Sequence, residues 1–129
     1  MEIGGIFLGS IIRAVCDCGF ESQDIFAGGG FVNFMTDLAA PALCQHCHSL
    51  IVANYLENRG NCQKCGNIIV FYNDPSLRVS NNKGTNNERY VFYWRLPDEQ
   101  GEFALVDTLY FCPKCNKMMM KFIDVGCWD

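Results

Sequence analysis

Short apolar runs separated by polar turns make up most of this chain. The runs carry the partial alternation or the β-branched and aromatic content of strands, and clusters of Gly, Asn, Asp and Pro divide them. The predicted strands cover residues 6–15, 20–26, 49–55, 67–72, 90–96, 103–111 and 117–123. No apolar run reaches the length that a membrane-spanning helix needs. The pattern predicts a β-rich fold with an antiparallel sheet.

One segment shows helical spacing instead. Its apolar residues recur at i, i+3, i+4 and i+7, as on one face of a short helix; they are Phe31, Phe34, Met35 and Leu38. Pro41 would end this helix. Because residues 31–35 could also run as a strand, the prediction is a β-rich fold with one short helix, or a small α+β fold.

Composition favours a single globular domain over residues 1–129. Half of the residues are hydrophobic and 19% are charged, which is ordinary for a folded protein. Residues 80–88 are polar and turn-forming throughout. We interpret them as a loop at a hairpin tip and not as a linker between domains.

Eight of the nine cysteines occur as four close pairs. The pairs are Cys16/Cys18, Cys44/Cys47, Cys62/Cys65 and Cys112/Cys115. Two pairs supply the four thiolates of one tetrahedral zinc site, so the four pairs predict two Zn²⁺ ions per chain. A disulfide scaffold is disfavoured, because a bond between cysteines two or three residues apart closes only a trivial loop.

The residue that follows each pair supports the metal interpretation. A metal knuckle turns the backbone so that its amides point at the thiolates, and the next residue often needs a positive φ. Gly, Asn and His reach that conformation most readily. The four positions are Gly19, His48, Gly66 and Asn116.

Two of these segments resemble the rubredoxin-type knuckles of zinc ribbons. They are Cys62-Gln-Lys-Cys65-Gly66 and Cys112-Pro-Lys-Cys115-Asn116. The resemblance implies zinc-ribbon hairpins and a metal-binding superfamily rather than one function. Proteins similar to these ribbons act widely as protein-binding or nucleic-acid-binding modules, many of them in transcription and translation machinery.

The sequence favours one grouping of the cysteine pairs without excluding others. Cys44/Cys47 with Cys62/Cys65 encloses the shortest loop and defines an inner zinc ribbon at about residues 42–73. The outer knuckles, near 16–18 and 112–115, would then share the second zinc. A sequential grouping, with 16/18 joined to 44/47 and 62/65 to 112/115, is the main alternative, and a cross-braced arrangement is the third.

Three further residues are candidates of lower weight. His46 and His48 flank Cys47, and either could replace a thiolate, but four cysteines are already at hand for each site. We therefore expect both histidines to be bystanders, with His48 serving through its backbone. Cys127 has no partner pair, and we interpret it as a small buried hydrophobe.

A non-enzymatic role is the expectation. Catalytic zinc usually has three protein ligands and an open position, whereas eight cysteines divide into two closed sites. A thiol redox role would use one Cys-x-x-Cys pair and leave the other three pairs unexplained. The N-terminus shows no basic region or small-residue cleavage site, so a cytoplasmic location is expected.

The charge balance favours a protein partner. The formal net charge is −4, and two zinc ions with four thiolates each would bring it to about −8. Such a protein lacks the broad positive surface of a nucleic-acid binder. The alternative rests on cations interleaved with aromatic residues: Arg78, Lys83, Arg89, Tyr90, Tyr93, Trp94 and Arg95. If those aromatic side chains are instead core residues, the alternative loses its support.

Overall fold

A computed structural model describes residues 9–28, 38–56, 61–79, 89–96 and 101–128. Every strand pair among them is antiparallel. The strands are β1 (Gly9–Cys16), β2 (Ile25–Ala27), β3 (Ala39–Cys44), β4 (Ser49–Asn54), β5 (Ile69–Phe71), β6 (Tyr90–Arg95), β7 (Glu102–Val106), β8 (Tyr110–Phe111) and β9 (Met118–Trp128). The only helical element in the described ranges is a 3₁₀ turn, Pro75–Leu77.

The β-rich fold class is confirmed. The predicted helix lies outside the described residues except for Leu38, and so does the predicted loop at 80–88. The strands form three sheets with the orders β2-β1-β9-β8, β4-β3-β5 and β6-β7. One hydrophobic core joins all three sheets, and its largest buried side chains include Ile12, Leu43, Tyr72, Phe103, Leu105, Tyr110 and Met120.

The first and last strands of the fold lie side by side. β1 pairs with β9 over its whole length, from Gly9 opposite Trp128 to Cys16 opposite Met120. Ile12 and Ala14 alternate with more exposed neighbours and point into the core, as one buried face of a strand requires. This pairing carries the first cysteine pair to the same end of the sheet as the last one.

The single strand predicted over 103–111 is wrong, because the chain bends at residues 107–109. β7 pairs with β6, whereas β8 pairs with β9. The buried Tyr110 hydroxyl accepts a hydrogen bond from Val106 N (2.9 Å) and donates one to Val106 O (3.2 Å), which closes the bend. Backbone bonds from Thr108 N to Val106 O (2.9 Å) and from Asp107 N to Arg89 O (2.8 Å) also hold the bend, and a run of β-forming residues does not show these contacts.

β3 is a central strand that the sequence pattern does not predict. Pro41 lies in its middle, where a missing amide hydrogen normally disfavours a strand. The Pro41 carbonyl accepts from Tyr72 N (3.1 Å), just beyond the last residue of β5. Nitrogen and carbonyl of a strand residue point to the same side, so the missing amide hydrogen of Pro41 faces Tyr72 at the end of the β5 pairing and takes no bond from the β4 ladder.

We predict that Gly28→Ala destabilises the fold more than Gly101→Ala. Both glycines have a positive φ, +99° and +111°, so both variants share the cost of that backbone conformation. A Cβ at Gly28 would lie 2.7 Å from the Trp94 ring, while one at Gly101 meets no atom within 4 Å. The contact should lower the free energy of unfolding by about a further 1–3 kcal/mol. Denaturant unfolding measures this difference. Equal losses would show that Trp94 moves aside freely.

Candidate metal centres

The outer quartet lies at the end of the β1–β9 pair. Cys16 is the last residue of β1, Cys18 lies in the following turn, and Cys112 and Cys115 lie in the turn between β8 and β9. The Sγ atoms of Cys16 and Cys115 are 3.8 Å apart, and those of Cys18 and Cys112 are 3.7 Å apart. All four sulfur atoms lie within 4.8 Å of one another.

The inner quartet is built on the sheet of β3, β4 and β5. Cys44 ends β3, Cys47 lies in the turn to β4, and Cys62 and Cys65 lie in the turn before β5. The Sγ–Sγ distances are 3.6 Å for Cys44–Cys65 and 4.0 Å for Cys47–Cys62. The structure therefore places Cys44/Cys47 with Cys62/Cys65 and Cys16/Cys18 with Cys112/Cys115. This is the inner–outer grouping and not the sequential one.

The sulfur spacing suits a metal ion and not a disulfide. Bonded sulfur atoms lie about 2.05 Å apart, well below the 3.6–4.0 Å found here. Four sulfur atoms around a tetrahedral metal with bonds of about 2.3 Å lie about 3.8 Å apart. Each quartet can therefore hold one metal ion of this coordination.

All four knuckle turns have the predicted backbone conformation. The φ angles of Gly19, His48, Gly66 and Asn116 are 102°, 52°, 77° and 62°. Among the described residues, the histidine and the asparagine are the only non-glycine residues with a positive φ. The prediction drawn from the residue after each pair is confirmed at every position.

These turns direct backbone amides at sulfur. The amide nitrogens of Lys64 and Lys114 lie 3.4 Å from the Sγ atoms of Cys62 and Cys112, two residues earlier. In the inner quartet the backbone amides of Cys65 and then of Lys64 lower the pKa of Cys62, because they stabilise the thiolate over the thiol. A backbone hydrogen bond at Phe20 lowers the pKa of Cys18 in the same way.

Asn67 is a functional residue that the sequence analysis missed. Its side-chain amide donates to Cys65 Sγ at 3.3 Å, and its backbone carbonyl accepts from Cys62 N at 2.7 Å. The side-chain donor is the main reason that the pKa of Cys65 falls to about 6. The sequence carried no signal for this contact, since a side-chain hydrogen bond to sulfur depends on the folded turn.

Other thiols resist ionisation without a cation. Burial raises the pKa of Cys16 to about 12 and also raises that of Cys112. Hydrogen bonds with neighbouring thiols, first Cys65 and then Cys44, raise the pKa of Cys47 to about 12. Four negative charges this close repel one another, so a fully ionised quartet needs a bound cation.

The two quartets have different surroundings. Cys112 is buried in the main core, and Cys16 and Cys115 pack against that core. Cys44 and Cys62 instead form a small separate cluster with Ala42 and Ile69. The outer quartet is thus part of the main core, whereas the inner quartet has a satellite core of its own.

The candidates of lower weight are the two histidines and Cys127. His46 and His48 are exposed, and the cysteine quartets found in the described residues include neither of them. The backbone of Cys127 pairs with Ser10, but its side chain lies outside the described part of the structure. The prediction that Cys127 is a buried hydrophobe stays a prediction.

The aromatic strand β6 divides between core and surface. Phe92 and Trp94 are buried, whereas Tyr90 and Tyr93 are 57% and 40% exposed. A bulge between Tyr90 and Phe92 breaks the simple alternation, and the two tyrosine rings meet with centroids 5.2 Å apart. The exposed Arg89 and Arg95 flank this tyrosine pair, and Lys83 lies outside the described residues.

Comparisons with protein-family models, curated proteins and solved structures find no match for this chain. The described residues contain no helix with the length and apolar character needed to cross a membrane. The geometry of the cysteine quartets is therefore the main basis for assigning a function.

We predict that Asn67→Ala weakens metal binding at the inner site by about tenfold or more, because it removes a hydrogen bond to a thiolate and keeps the backbone contact. Zinc competition with a chromophoric chelator measures this. The outer site of the same molecule is the internal control, and Asn73→Ala, whose side chain bonds Tyr55 rather than a cysteine, is the matched variant. An unchanged inner affinity would contradict the role given to Asn67.

Proposed function

We propose that this protein binds two Zn²⁺ ions as structural elements, one in each quartet. The observation that carries the proposal is the set of Sγ–Sγ distances, 3.6–4.0 Å, in two groups of four cysteines. Four thiolates in a tetrahedral arrangement are typical of zinc and of iron, and a redox-inactive ion suits a structural role. The ligands are Cys16, Cys18, Cys112 and Cys115 in the outer site, and Cys44, Cys47, Cys62 and Cys65 in the inner site.

We further propose that the protein is an interaction module and not an enzyme. Four thiolates complete the coordination of each zinc ion, which leaves no position for a reacting water or substrate. The acidic net charge of −4 becomes more negative on metal loading and favours a protein partner over nucleic acid.

Elemental analysis of the purified protein tests the metal proposal. About two zinc ions per chain are expected, and one or none, or mainly iron, would overturn it. Structural zinc contributes roughly 10–16 kcal/mol in small peptides, whereas a whole domain is stable by only about 5–15 kcal/mol. Chelation should therefore unfold much of the protein, as seen by circular dichroism.

We predict different consequences for the loss of each site. Cys112→Ser and Cys62→Ser should each reduce the zinc content from two ions to one. Because Cys112 lies in the main core, its variant should lose stability comparable to that of the whole domain, about 5–15 kcal/mol. Cys62→Ser should keep the main core folded, since its surroundings form the satellite cluster.

Zinc analysis together with denaturant unfolding distinguishes the two variants of that prediction. Cobalt substitution adds a direct test of the grouping, because tetrahedral thiolate ligation absorbs strongly in the visible range. If Cys112→Ser removed the metal held by Cys62 and Cys65, the inner–outer grouping would be wrong. Equal destabilisation by both variants would instead show that the two sites support one core equally.

A second candidate function is single-stranded nucleic-acid binding. The observation that favours it is the exposed tyrosine pair, Tyr90 and Tyr93, beside Arg89 and Arg95. Bases stack on exposed aromatic rings, and cations hold the phosphates. Against it, Tyr93 donates to Glu102 at 2.7 Å, and Glu102 lies opposite Arg95 in the register. The local positive charge is therefore partly balanced.

We expect Tyr93→Ala to weaken binding of a labelled single-stranded oligonucleotide by about tenfold or more if this second function holds, because stacking contributes about 1–3 kcal/mol per base. Tyr93→Phe keeps the ring and is the matched control. Fluorescence anisotropy at two salt concentrations measures both. Absence of binding to the zinc-loaded protein at low salt would exclude this candidate.

A further inference from the structure

Cys18 is the most exposed cysteine of the two quartets. All eight ligand cysteines belong to the described residues, and Cys18 is the one that is exposed, whereas four are half-buried and three are buried. Its neighbours Asp17 and Gly19 are exposed as well. Oxidation of a cysteine requires access of the oxidant to the sulfur atom. This exposure therefore distinguishes Cys18 from the other seven ligands.

The exposed cysteine belongs to the shortest of the four knuckles. One residue separates Cys16 from Cys18, whereas two residues separate the members of each other pair. The turn is closed by backbone bonds from Gly19 N to Cys16 O (3.0 Å) and from Cys16 N to Phe20 O (2.9 Å). A Cβ placed at Gly19 would meet no atom within 4 Å, so open space lies directly beside Cys18 in this turn.

A buried cysteine lies next to the exposed one. Cys18 Sγ is 3.7 Å from Cys112 Sγ, and Cys112 belongs to the main core. Because bonded sulfur atoms lie about 2.05 Å apart, these two atoms would have to approach by roughly 1.7 Å to form a disulfide. An exposed cysteine beside a second one is typical of redox-sensitive pairs, since the second sulfur converts the first oxidation product into a disulfide.

The inner quartet lacks this combination. Two of its cysteines are buried, and the other two, Cys47 and Cys65, are half-buried. The side-chain amide of Asn67 also lies against Cys65 Sγ, at 3.3 Å. An oxidant should therefore react with the outer quartet before the inner one.

We propose that Cys18 is a site of oxidation by hydrogen peroxide and that it then forms a disulfide with Cys112. The inference rests on the proposed zinc binding and adds a redox response to it. In the first step the Cys18 sulfur attacks the peroxide, the O–O bond breaks, Cys18 becomes a sulfenic acid and one hydroxide leaves. In the second step the Cys112 sulfur attacks Cys18 Sγ, the S–S bond forms, the S–O bond breaks and a second hydroxide leaves. Two thiolates have then lost the two electrons that the peroxide has gained.

The disulfide changes the metal content and keeps the chain ends joined. It removes two of the four ligands of the outer quartet, so one zinc ion should leave. Cys18 and Cys112 are 94 residues apart in the sequence, and their disulfide connects the same two turns that the metal would connect. The inner zinc ion should be retained, and a thiol reductant with added zinc should restore the outer site.

Hydrogen peroxide added to the full-length, zinc-loaded protein tests the proposal. A chromophoric chelator measures the released zinc, N-ethylmaleimide blocks the free thiols, and mass spectrometry of non-reduced digests maps the disulfides. The expected result is a fall from two zinc ions to one, with a Cys18–Cys112 disulfide in the one-zinc species. Release of both ions together, retention of both, or a first disulfide between other cysteines would overturn the proposal.

Two histidine substitutions give a matched pair of variants. Histidine also ligates zinc but cannot form a disulfide, so Cys18→His and Cys47→His should each keep two zinc ions. Cys18→His should no longer lose the outer ion first, whereas Cys47→His should lose it as the wild type does. Wild-type behaviour of Cys18→His would show that Cys18 is not the site, and the wild-type disulfide map does not depend on the folding of either variant. Fewer than two zinc ions before peroxide is added would instead contradict the proposed zinc binding itself.

Discussion

The pairing of β1 with β9 is the contact on which the rest of the structure depends. It joins the two ends of the chain, and the sulfur atoms of Cys16 and Cys115 meet across a separation of 99 residues. Closing a loop of that length costs about 3 kcal/mol more than closing one of about four residues, because the cost grows only with the logarithm of length. A continuous strand ladder and a shared metal ion are interactions large enough to offset it.

The two quartets lie in different parts of the fold. The outer one lies at the end of the β1–β9 pair and contributes Cys112 to the main core, while the inner one lies on the β3–β4–β5 sheet beside a satellite cluster. Tyr72 links the two regions. Its buried hydroxyl donates to Phe111 O at 2.8 Å, one residue before Cys112, and its ring meets those of Tyr110 and Phe122. Burial raises the pKa of Tyr72, which keeps this hydroxyl a donor.

Metal coordination would hold one end of the inner sheet. Cys44 ends β3 and Cys47 lies in the turn that begins β4, so a metal ion at the quartet would fix this turn in position.

The sequence by itself determined the local features of this protein. Cysteine spacing identified the eight candidate ligands, and the residue after each pair predicted four positive φ angles, because steric limits on φ act within a single residue. Five of the predicted strands correspond to observed ones, since alternation and β-branching are also local signals, whereas the strand predicted over 20–26 overlaps β2 only at residues 25 and 26. The resemblance to zinc ribbons agrees with the quartets only as far as their capacity to hold a metal.

Only the tertiary structure decided the features that depend on distant residues. The grouping of the quartets follows from the β1–β9 ladder, and the bend at 107–109 is held by the Tyr110 hydroxyl together with backbone bonds of Asp107 and Thr108. β3 was not predicted because a proline fits this strand only at the end of its pairing with β5. That end is set by Phe71, which lies 30 residues after Pro41 in the sequence. The contact of Asn67 with Cys65 is likewise invisible in the sequence, because it is defined by what lies next to the side chain in space.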